Sequence, residues 1–215
     1  MGDHEGFRVD MSVFDVLSYP NLFHNLKAAI KDACSGKDNQ NLNIYYEDTQ
    51  ISPKEMLEII KNKEFSRFPE NMSGAAREAY ETLLHTGDGQ LCDVIIDRAA
   101  LDAIYAAGEA AKDSIIKEYA ESVVAIADIK IAVRSQKTAK TIEFMKRAMA
   151  PCKSINVEQL SKAAAAGMEA VTEYLSGTAY AEGGQAIAES SSAFERWCDN
   201  RMMQQCSRRN MSHFQ

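Results

Sequence analysis

The chain has 215 residues, of which 46% are hydrophobic and 26% charged, a balance that is ordinary for a soluble globular protein with a substantial core. Its 24 Lys and Arg against 31 Asp and Glu give a net charge of −7, which argues against a nucleic-acid-binding surface and against a polybasic contact with lipid. No apolar run is long enough to span a bilayer and no signal peptide opens the chain, so we expect a cytoplasmic protein without a direct lipid anchor.

The first third of the chain predicts a loop between two helical segments. After a polar start over residues 1–10, a helix is expected over 12–33, interrupted by Pro20 because proline lacks the backbone N–H that a helix needs. A polar loop, GKDNQNLN, follows over 36–43. The sequence Ser-Pro-Lys-Glu at 52–55 is typical of a helix start, with serine as N-cap and glutamate closing a capping box, and that helix should run to about Lys63.

Two further helices are predicted before the middle of the chain. The first begins at Pro69 and ends at Gly87, a residue suited to a helix C-cap. A turn at 88–89 leads into the second, over 90–107, whose polar side carries Asp93, Asp97 and Arg98.

The stretch 119–136 is the most apolar part of the chain, and we expect the rest to pack around it. Only two polar residues, Asp128 and Lys130, interrupt the run from 123 to 133. The alternation of apolar residues there would also suit a buried strand. No Gly or Pro occurs over 109–150, however, and the flanks are rich in helix-forming residues, so the context favours a central helix.

The remainder is also predicted to be helical. The long segment should divide near 135–138 and end at Pro151, and Asn156 should cap a helix over 157–166. A glycine then separates a short helix over 168–175.

Near the end of the chain, glycines 177, 183 and 184 predict a loop before a helix over 186–204 that carries Trp197 as a core anchor, and a polar, frayed tail follows it. The five cysteines are odd in number and form no CxxC motif, so we expect free thiols in or near the core: Cys34, Cys92, Cys152, Cys198 and Cys206. The sequence as a whole predicts an all-α fold.

Two pairs of segments indicate an internal repeat. LFHNLKAAIK (22–31) and AIADIKIAVR (125–134) align without a gap at an offset of 103 residues, and DVIID (93–97) aligns with ERWCD (195–199) at 102. The aligned polar positions of the first pair are Asn25 with Asp128, Lys27 with Lys130 and Lys31 with Arg134. The agreement of the two offsets predicts repeated domains of about a hundred residues.

With these motifs in view, the chain resembles the C subunits of the V/A-type ATPases (ATP synthases), the family that includes the d subunit of the eukaryotic V-ATPase. The motif of that family is near D-x-x-N-[LI]-K-x-x-[IL]-[RK], and Asn25, Lys27 and Lys31 match it. The second copy keeps both cations but carries Asp128 in place of asparagine. The phrases over 86–104 and 193–203 resemble the junctions at which the family begins a new domain.

The resemblance implies a funnel of three similar helical domains. Applied to this architecture, the period of about 102 residues predicts a partial first repeat in 1–88, a complete second repeat in 89–190, and the start of a third repeat with its tail in 191–215. The resemblance further implies a non-catalytic central-stalk (rotor) subunit without cofactors, a socket that couples the central shaft to the membrane rotor ring during proton or sodium transport. Its partners would be the central-shaft subunits and the rotor ring, and it would be cytoplasmic, peripheral to the membrane through that complex.

Two other functions are compatible with parts of the sequence. Asp93 and Asp97, four residues apart on one helix face, could hold Mg²⁺ with Glu109 or Asp113, as in all-α prenyl-chain enzymes. Those enzymes use a denser aspartate cluster, and the chain has neither a recognised catalytic motif nor metal-ligand spacing among its four histidines. A generic helical-repeat scaffold would explain the period but not the junction phrases.

The four basic residues of the two motifs have a simpler interpretation than a ligand site. Cationic residues at the ends of buried helices commonly extend to solvent or pair with nearby acids. Their recurrence at aligned positions therefore predicts a repeated structural or interface role.

Overall fold

The computed structural model describes residues 11–36 and 44–212, and every regular element in these ranges is helical. The α-helices are α1 (Met11–Ser35), α2 (Pro53–Lys61), α3 (Glu70–Thr86), α4 (Gly89–Ala110), α5 (Ser114–Lys137), α6 (Ile142–Ala148), α7 (Val157–Ala166), α8 (Met168–Ser176), α9 (Ala181–Glu189) and α10 (Ser191–Ser212). A 3₁₀ turn, Phe65–Arg67, lies between α2 and α3. The all-α prediction is confirmed. The expected polar start and nearly all of the 36–43 loop lie outside the described residues.

Helix α5 occupies the centre of the molecule, as predicted for 119–136. It packs against α4 on one side and α10 on another, and α6, α7 and α8 also contact it. Its buried residues recur on nearly every face: Ile116, Ala120, Ser122, Val124, Ala125, Ile126, Asp128, Ile129, Ala132, Val133 and Ser135. A helix buried this widely has to be apolar all round, which is why its sequence also resembles a buried strand.

Three apolar clusters form the core. The first joins α1, α2, α3 and the early part of α4. The second joins α5 to α6–α10. The third, between α1, α4 and α5, contains Val16, Ile104, Ala120 and Val124 and closes the space between the other two. There α4 and α5 approach so closely that a Cβ on Gly108 would lie 2.3 Å from that of Ala120, which explains the glycine.

Local signals placed most of the helix ends correctly. Ser52 accepts a hydrogen bond from the backbone N–H of Glu55 at 3.2 Å, and Asn156 accepts one from Gln159 at 3.0 Å. Gly87 ends α3 in the left-handed conformation with φ 68°. These caps confirm the predicted starts of α2 and α7 and the predicted end of α3.

Two predicted breaks differ from the structure. Pro20 does not interrupt α1, which runs through it. Proline removes the donor that would reach the carbonyl four residues back and crowds that carbonyl, but Val16, Leu22 and Phe23 on either side are buried and hold the helix in place. The 109–150 segment, expected to divide only near 135–138, also breaks at 111–113, where Asp113 accepts from the N–H of Ile115 at 2.8 Å and caps α5.

The predicted loop around Gly183 and Gly184 is wrong, because both lie within α9. A Cβ on Gly183 would lie 2.7 Å from the indole ring of Trp197, so the glycine permits close packing rather than a turn. Trp197 is half-buried in the second cluster, as expected of a core anchor. The helix expected over 186–204 is divided at Ser190, and its second part continues to Ser212, through most of the expected frayed tail.

The cysteines are free thiols, as predicted. Cys92 and Cys198 are buried and Cys34 and Cys152 half-buried, but Cys206 is exposed rather than near the core. No helix in the described part of the chain is long and apolar enough to cross a membrane.

Candidate functional site

The first motif, on α1, uses a buried asparagine to hold the chain that follows the helix. The side-chain amide of Asn25 donates to the carbonyl of Tyr46 at 2.8 Å and to Oγ1 of Thr49 at 3.3 Å. Its side-chain carbonyl accepts from the N–H of Tyr46 at 2.8 Å. Asn25 is fully buried, so these bonds satisfy polar groups that water cannot reach. The residue therefore fixes the segment before α2 against α1.

The two lysines of the first motif pair with acids on α4. Lys27 Nζ lies 2.9 Å from Oδ1 of Asp97, and Lys31 Nζ lies 2.6 Å from Oδ1 of Asp93. All four side chains are partly exposed, so each pair contributes about 0.2–1 kcal/mol to the free energy of unfolding. The pairs link α1 to α4 but contribute little to the stability of the fold.

The acids named for a magnesium site have separate partners. Asp93 and Asp97 face lysines, Glu109 lies 3.0 Å from Nζ of Lys153, and Asp113 caps α5. Across residues 11–36 and 44–212, no group of three or more His, Cys, Asp or Glu side chains is placed to hold a metal ion. The arrangement of these carboxylates is that of helix caps and ion pairs.

The second motif, on α5, places an aspartate where the first has asparagine. Asp128 is fully buried, and its Oδ1 accepts from the backbone N–H of Ala150 at 2.9 Å. The thiol of Cys152 lies 3.9 Å from Oδ2. Burial raises the pKa of Asp128 to about 8, although the Ala150 N–H and the positive charge of Arg98 act in the opposite direction. The carboxyl is therefore largely protonated and neutral at pH 7.

The two buried polar residues have matching partners. Asn25 binds the backbone of Tyr46, 21 residues further along the chain, and Asp128 binds that of Ala150, 22 residues further along. In each case the partner lies in the irregular segment that precedes the next capped helix, α2 or α7. Each motif thus anchors, through one buried side chain, an irregular segment further along the chain, which directly follows α1 in the first case and follows α6 in the second.

The basic residues of the second motif are arranged differently from those of the first. Among the residues that the structure describes, neither Lys130 nor Arg134 has a carboxylate oxygen within 4.0 Å, and Glu195 and Asp199, which align with Asp93 and Asp97, form no ion pair either. Lys130 is half-buried, and Arg134 is exposed on the surface of α5. The ion pairs of the first motif therefore have no counterpart at the aligned positions.

One residue with long-range contacts was not singled out by sequence reasoning. The guanidinium of Arg98 donates to the carbonyls of Lys146 and Arg147 at 3.1 and 3.0 Å and to the carboxylate of Asp102. It thereby binds the end of α6 to α4, while Arg147 pairs with Glu78 of α3. The sequence placed Arg98 on the polar side of its helix, but no local signal identifies partners 48 and 49 residues away.

Sequence reasoning also missed a series of hydrogen bonds that joins Glu121, Ser154 and Tyr180. Glu121 of α5 accepts from both the N–H and the hydroxyl of Ser154 at 2.7 Å, and that hydroxyl lies 2.8 Å from the hydroxyl of Tyr180. Glu121 and Asp128, both on α5, thus hold the 149–156 segment against that helix through Ser154 and Ala150.

The chain matches one known family over nearly its whole length. The model of the ATP synthase (C/AC39) subunit family matches residues 7–215. No curated protein and no solved structure matches the chain.

Proposed function

The chain belongs to the ATP synthase (C/AC39) subunit family of the V/A-type enzymes, and from this premise we propose that it is a non-catalytic central-stalk subunit. In this role it couples the central shaft to the membrane rotor ring, so that rotation of one drives the other during proton or sodium transport. The match over residues 7–215 carries the proposal.

A coupling part has to transmit force between two surfaces without deforming. The helical body meets this requirement, since α5 is buried among α4, α6, α7 and α10 and the third cluster fills the space between the other two. Close-packed interiors have low compressibility and transmit strain. The ties from Arg98 to the end of α6, and from Asp128 to Ala150, add polar links across the same body.

We further infer that the body consists of repeated units, a first within 1–88, a second over 89–190 and the start of a third over 191–215. The helix caps support this division. Asp88 accepts from the N–H of Leu91 at 2.9 Å, and 102 residues later Ser190 accepts from that of Ala193 at 3.0 Å. The helices that they open, α4 and α10, have 22 residues each.

A second pair of positions supports the same period. Gly36, directly after α1, has φ 64°, and Ala139, 103 residues later and shortly after α5, has φ 53°. The left-handed conformation is uncommon for a residue other than glycine. Its recurrence at the motif offset is therefore further support for a repeated unit.

The proposed partners are the shaft subunits and the rotor ring, with the chain held on the cytoplasmic side of the membrane through the complex. The test is affinity purification of the tagged full chain from membranes solubilised in mild detergent, followed by mass spectrometry. We expect shaft and ring subunits to be recovered, and an unrelated tagged helical protein, as control, to recover neither. Recovery of only unrelated soluble proteins would favour the generic scaffold instead.

A further inference from the structure

A surface cavity of about 330 Å³ lies between α4, α5 and α6, beside the second motif. Its apolar lining comes from Val94, Ile131, Phe144 and Ala148. Two basic residues, Arg134 and Lys140, line the same cavity together with polar side chains of α4, α5 and the turn after α5. The cavity therefore combines an apolar lining with positive charge.

The positive charge of the cavity is not neutralised by the described part of the chain. Arg134 has no carboxylate oxygen within 4.0 Å there. Lys140 donates to the uncharged amide oxygen of Gln90 at 3.0 Å and lies 5.2 Å from the ring centre of Phe144. Asp97, the acid among the lining residues, is already paired with Lys27 at 2.9 Å. Two cations thus remain available on a chain whose net charge is −7.

The first motif shows which kind of group binds at the position that corresponds to Arg134. Lys31, which aligns with Arg134, binds a carboxylate of Asp93 on the helix packed beside it. Glu195, which aligns with Asp93, does not pair with Arg134, and Arg134 lines the cavity instead. A guanidinium can bind a carboxylate through two parallel hydrogen bonds, which an ammonium cannot do. The position suits an acidic group supplied from outside the chain.

We propose that this cavity is a docking site for a segment of a partner protein in which an acidic side chain stands next to a bulky apolar one. The carboxylate binds between Arg134 and Lys140, and the apolar side chain covers Val94, Ile131 and Phe144. Charge complementarity favours an acidic side chain of the partner, and the apolar lining of the cavity favours a bulky apolar side chain beside it. That the partner belongs to the ATPase rests on the proposed function, whereas the binding site itself does not.

Hydrogen bonds in the turn after α5 fix the backbone that carries Arg134 and Lys140. The N–H of Lys140 donates to the backbone carbonyl of Ser135 at 2.9 Å. The hydroxyl of Thr138 donates to the backbone carbonyl of Arg134 at 2.7 Å. With this backbone fixed, the binding of a ligand restricts chiefly the two basic side chains.

The test uses the full chain and an alanine-based helical peptide that carries one Leu and one Glu four residues apart, so that both lie on one face of the peptide helix. Binding is followed by NMR through the methyl signals of Val94 and Ile131. We expect saturable shifts, about two- to fivefold weaker binding of the matched Leu-Gln peptide, and a similar loss in Arg134→Gln, because each change removes one exposed charge pair. Arg196→Gln removes an exposed arginine outside the cavity and should bind as the wild type does.

Four results would overturn the proposal: no saturable shift at millimolar peptide, equal binding of the Glu and Gln peptides, unchanged binding in Arg134→Gln, or equal loss in Arg196→Gln. Inorganic phosphate is then added as a competitor of the peptide. If it displaces the peptide and reproduces its methyl shifts, the cavity is a small-anion site and the peptide proposal is wrong. Peptide binding by a chain that recovers no ATPase component from membranes would leave the site intact and remove the proposed function.

Discussion

Helices α1 and α5 carry the same ten-residue pattern but use its polar residues differently. In both, a fully buried side chain, Asn25 or Asp128, binds the backbone of an irregular segment 21 or 22 residues further along the chain. Only α1 also pairs its basic residues with acids in the described part of the chain, whereas Arg134 of α5 lines an open cavity. A buried hydrogen bond is costly to lose because its partner would be left unsatisfied, while an exposed ion pair contributes little. The anchoring is therefore the shared structural role, and the cations can serve another purpose in α5.

The two anchors also differ in their response to pH. Asn25 carries no charge at any pH. Asp128 is neutral only while it is protonated, and its pKa of about 8 lies close to physiological pH. The same position in the pattern is thus insensitive to pH in α1 and sensitive in α5.

The largest expected effects come from the apolar residues that follow the two anchors. Leu26 and Ile129 are both fully buried, in the first and second clusters. Truncation of either to alanine should lower the free energy of unfolding by about 2–5 kcal/mol, since a cavity remains where the side chain was. Denaturant unfolding followed by circular dichroism measures this. Leu84→Ala, at an exposed position of α3, is the control and should change little. A cost below about 1 kcal/mol at one of the two buried sites would show that the two surroundings differ.

A second variant, Asp128→Asn, replaces the titratable anchor of α5 with an asparagine like Asn25 of α1. In the unfolded chain the pKa of Asp128 is near 3.8, so between about pH 4 and 8 the folded state binds the proton more tightly. The free energy of unfolding of the wild type should therefore fall by a few kcal/mol as pH rises through this window, and Asp128→Asn should lose that fall. Denaturant unfolding at pH 5, 7 and 9 measures both. Asn25→Asp should introduce a similar fall into the first motif. An identical pH slope in the wild type and Asp128→Asn would contradict the assignment.

A smaller effect is expected at Gly36 and Ala139, the two left-handed positions that lie 103 residues apart. Ala139→Gly should raise the free energy of unfolding by about 0.5–1 kcal/mol, because glycine adopts φ 53° without a clash involving Cβ. Gly36→Ala, its counterpart after α1, should lower it by a similar amount. Thermal and denaturant unfolding are sufficient measurements. The same sign of change in both variants would argue against a common role for the two positions.

The smallest effect concerns the ion pairs themselves. A double-mutant cycle of Lys27→Ala and Asp97→Ala should give a coupling energy of about 0.2–1 kcal/mol that decreases in about 1 M salt. The matched cycle of Lys130→Ala and Asp199→Ala should give a value near zero, since these two side chains form no ion pair with each other. A clear coupling in the second cycle would show that the two motifs are more alike than the structure indicates.

The sequence predicted those features that depend on neighbouring residues. The N-caps Ser52 and Asn156 and the C-cap Gly87 depend on three or four consecutive positions, and the central helix depends on a long apolar run. The glycines of α9 were misinterpreted because the reason for Gly183 is the ring of Trp197, which the fold brings beside it.

The candidate site was predictable only in part, for the same reason. The aligned motifs identified Asn25 and Asp128 as equivalent positions, but not the backbone groups that they bind 21 and 22 residues later. Lys27 and Asp97 were both singled out, yet for different sites, because their separation of 70 residues conceals the pair. The cavity beside Arg134 requires three helices to meet and has no signature in the sequence.

Coupling between shaft and ring is the central claim, and ATP-driven ion uptake by membrane vesicles tests it most directly. Vesicles that contain the rotary ATPase but lack this chain should hydrolyse ATP without accumulating protons or sodium ions, and addition of the purified full chain should restore uptake. The ratio of ions transported to ATP hydrolysed is the quantity to measure. We expect it to fall to near zero without the chain and to recover with it. An unchanged ratio in vesicles that lack the chain would contradict the coupling role.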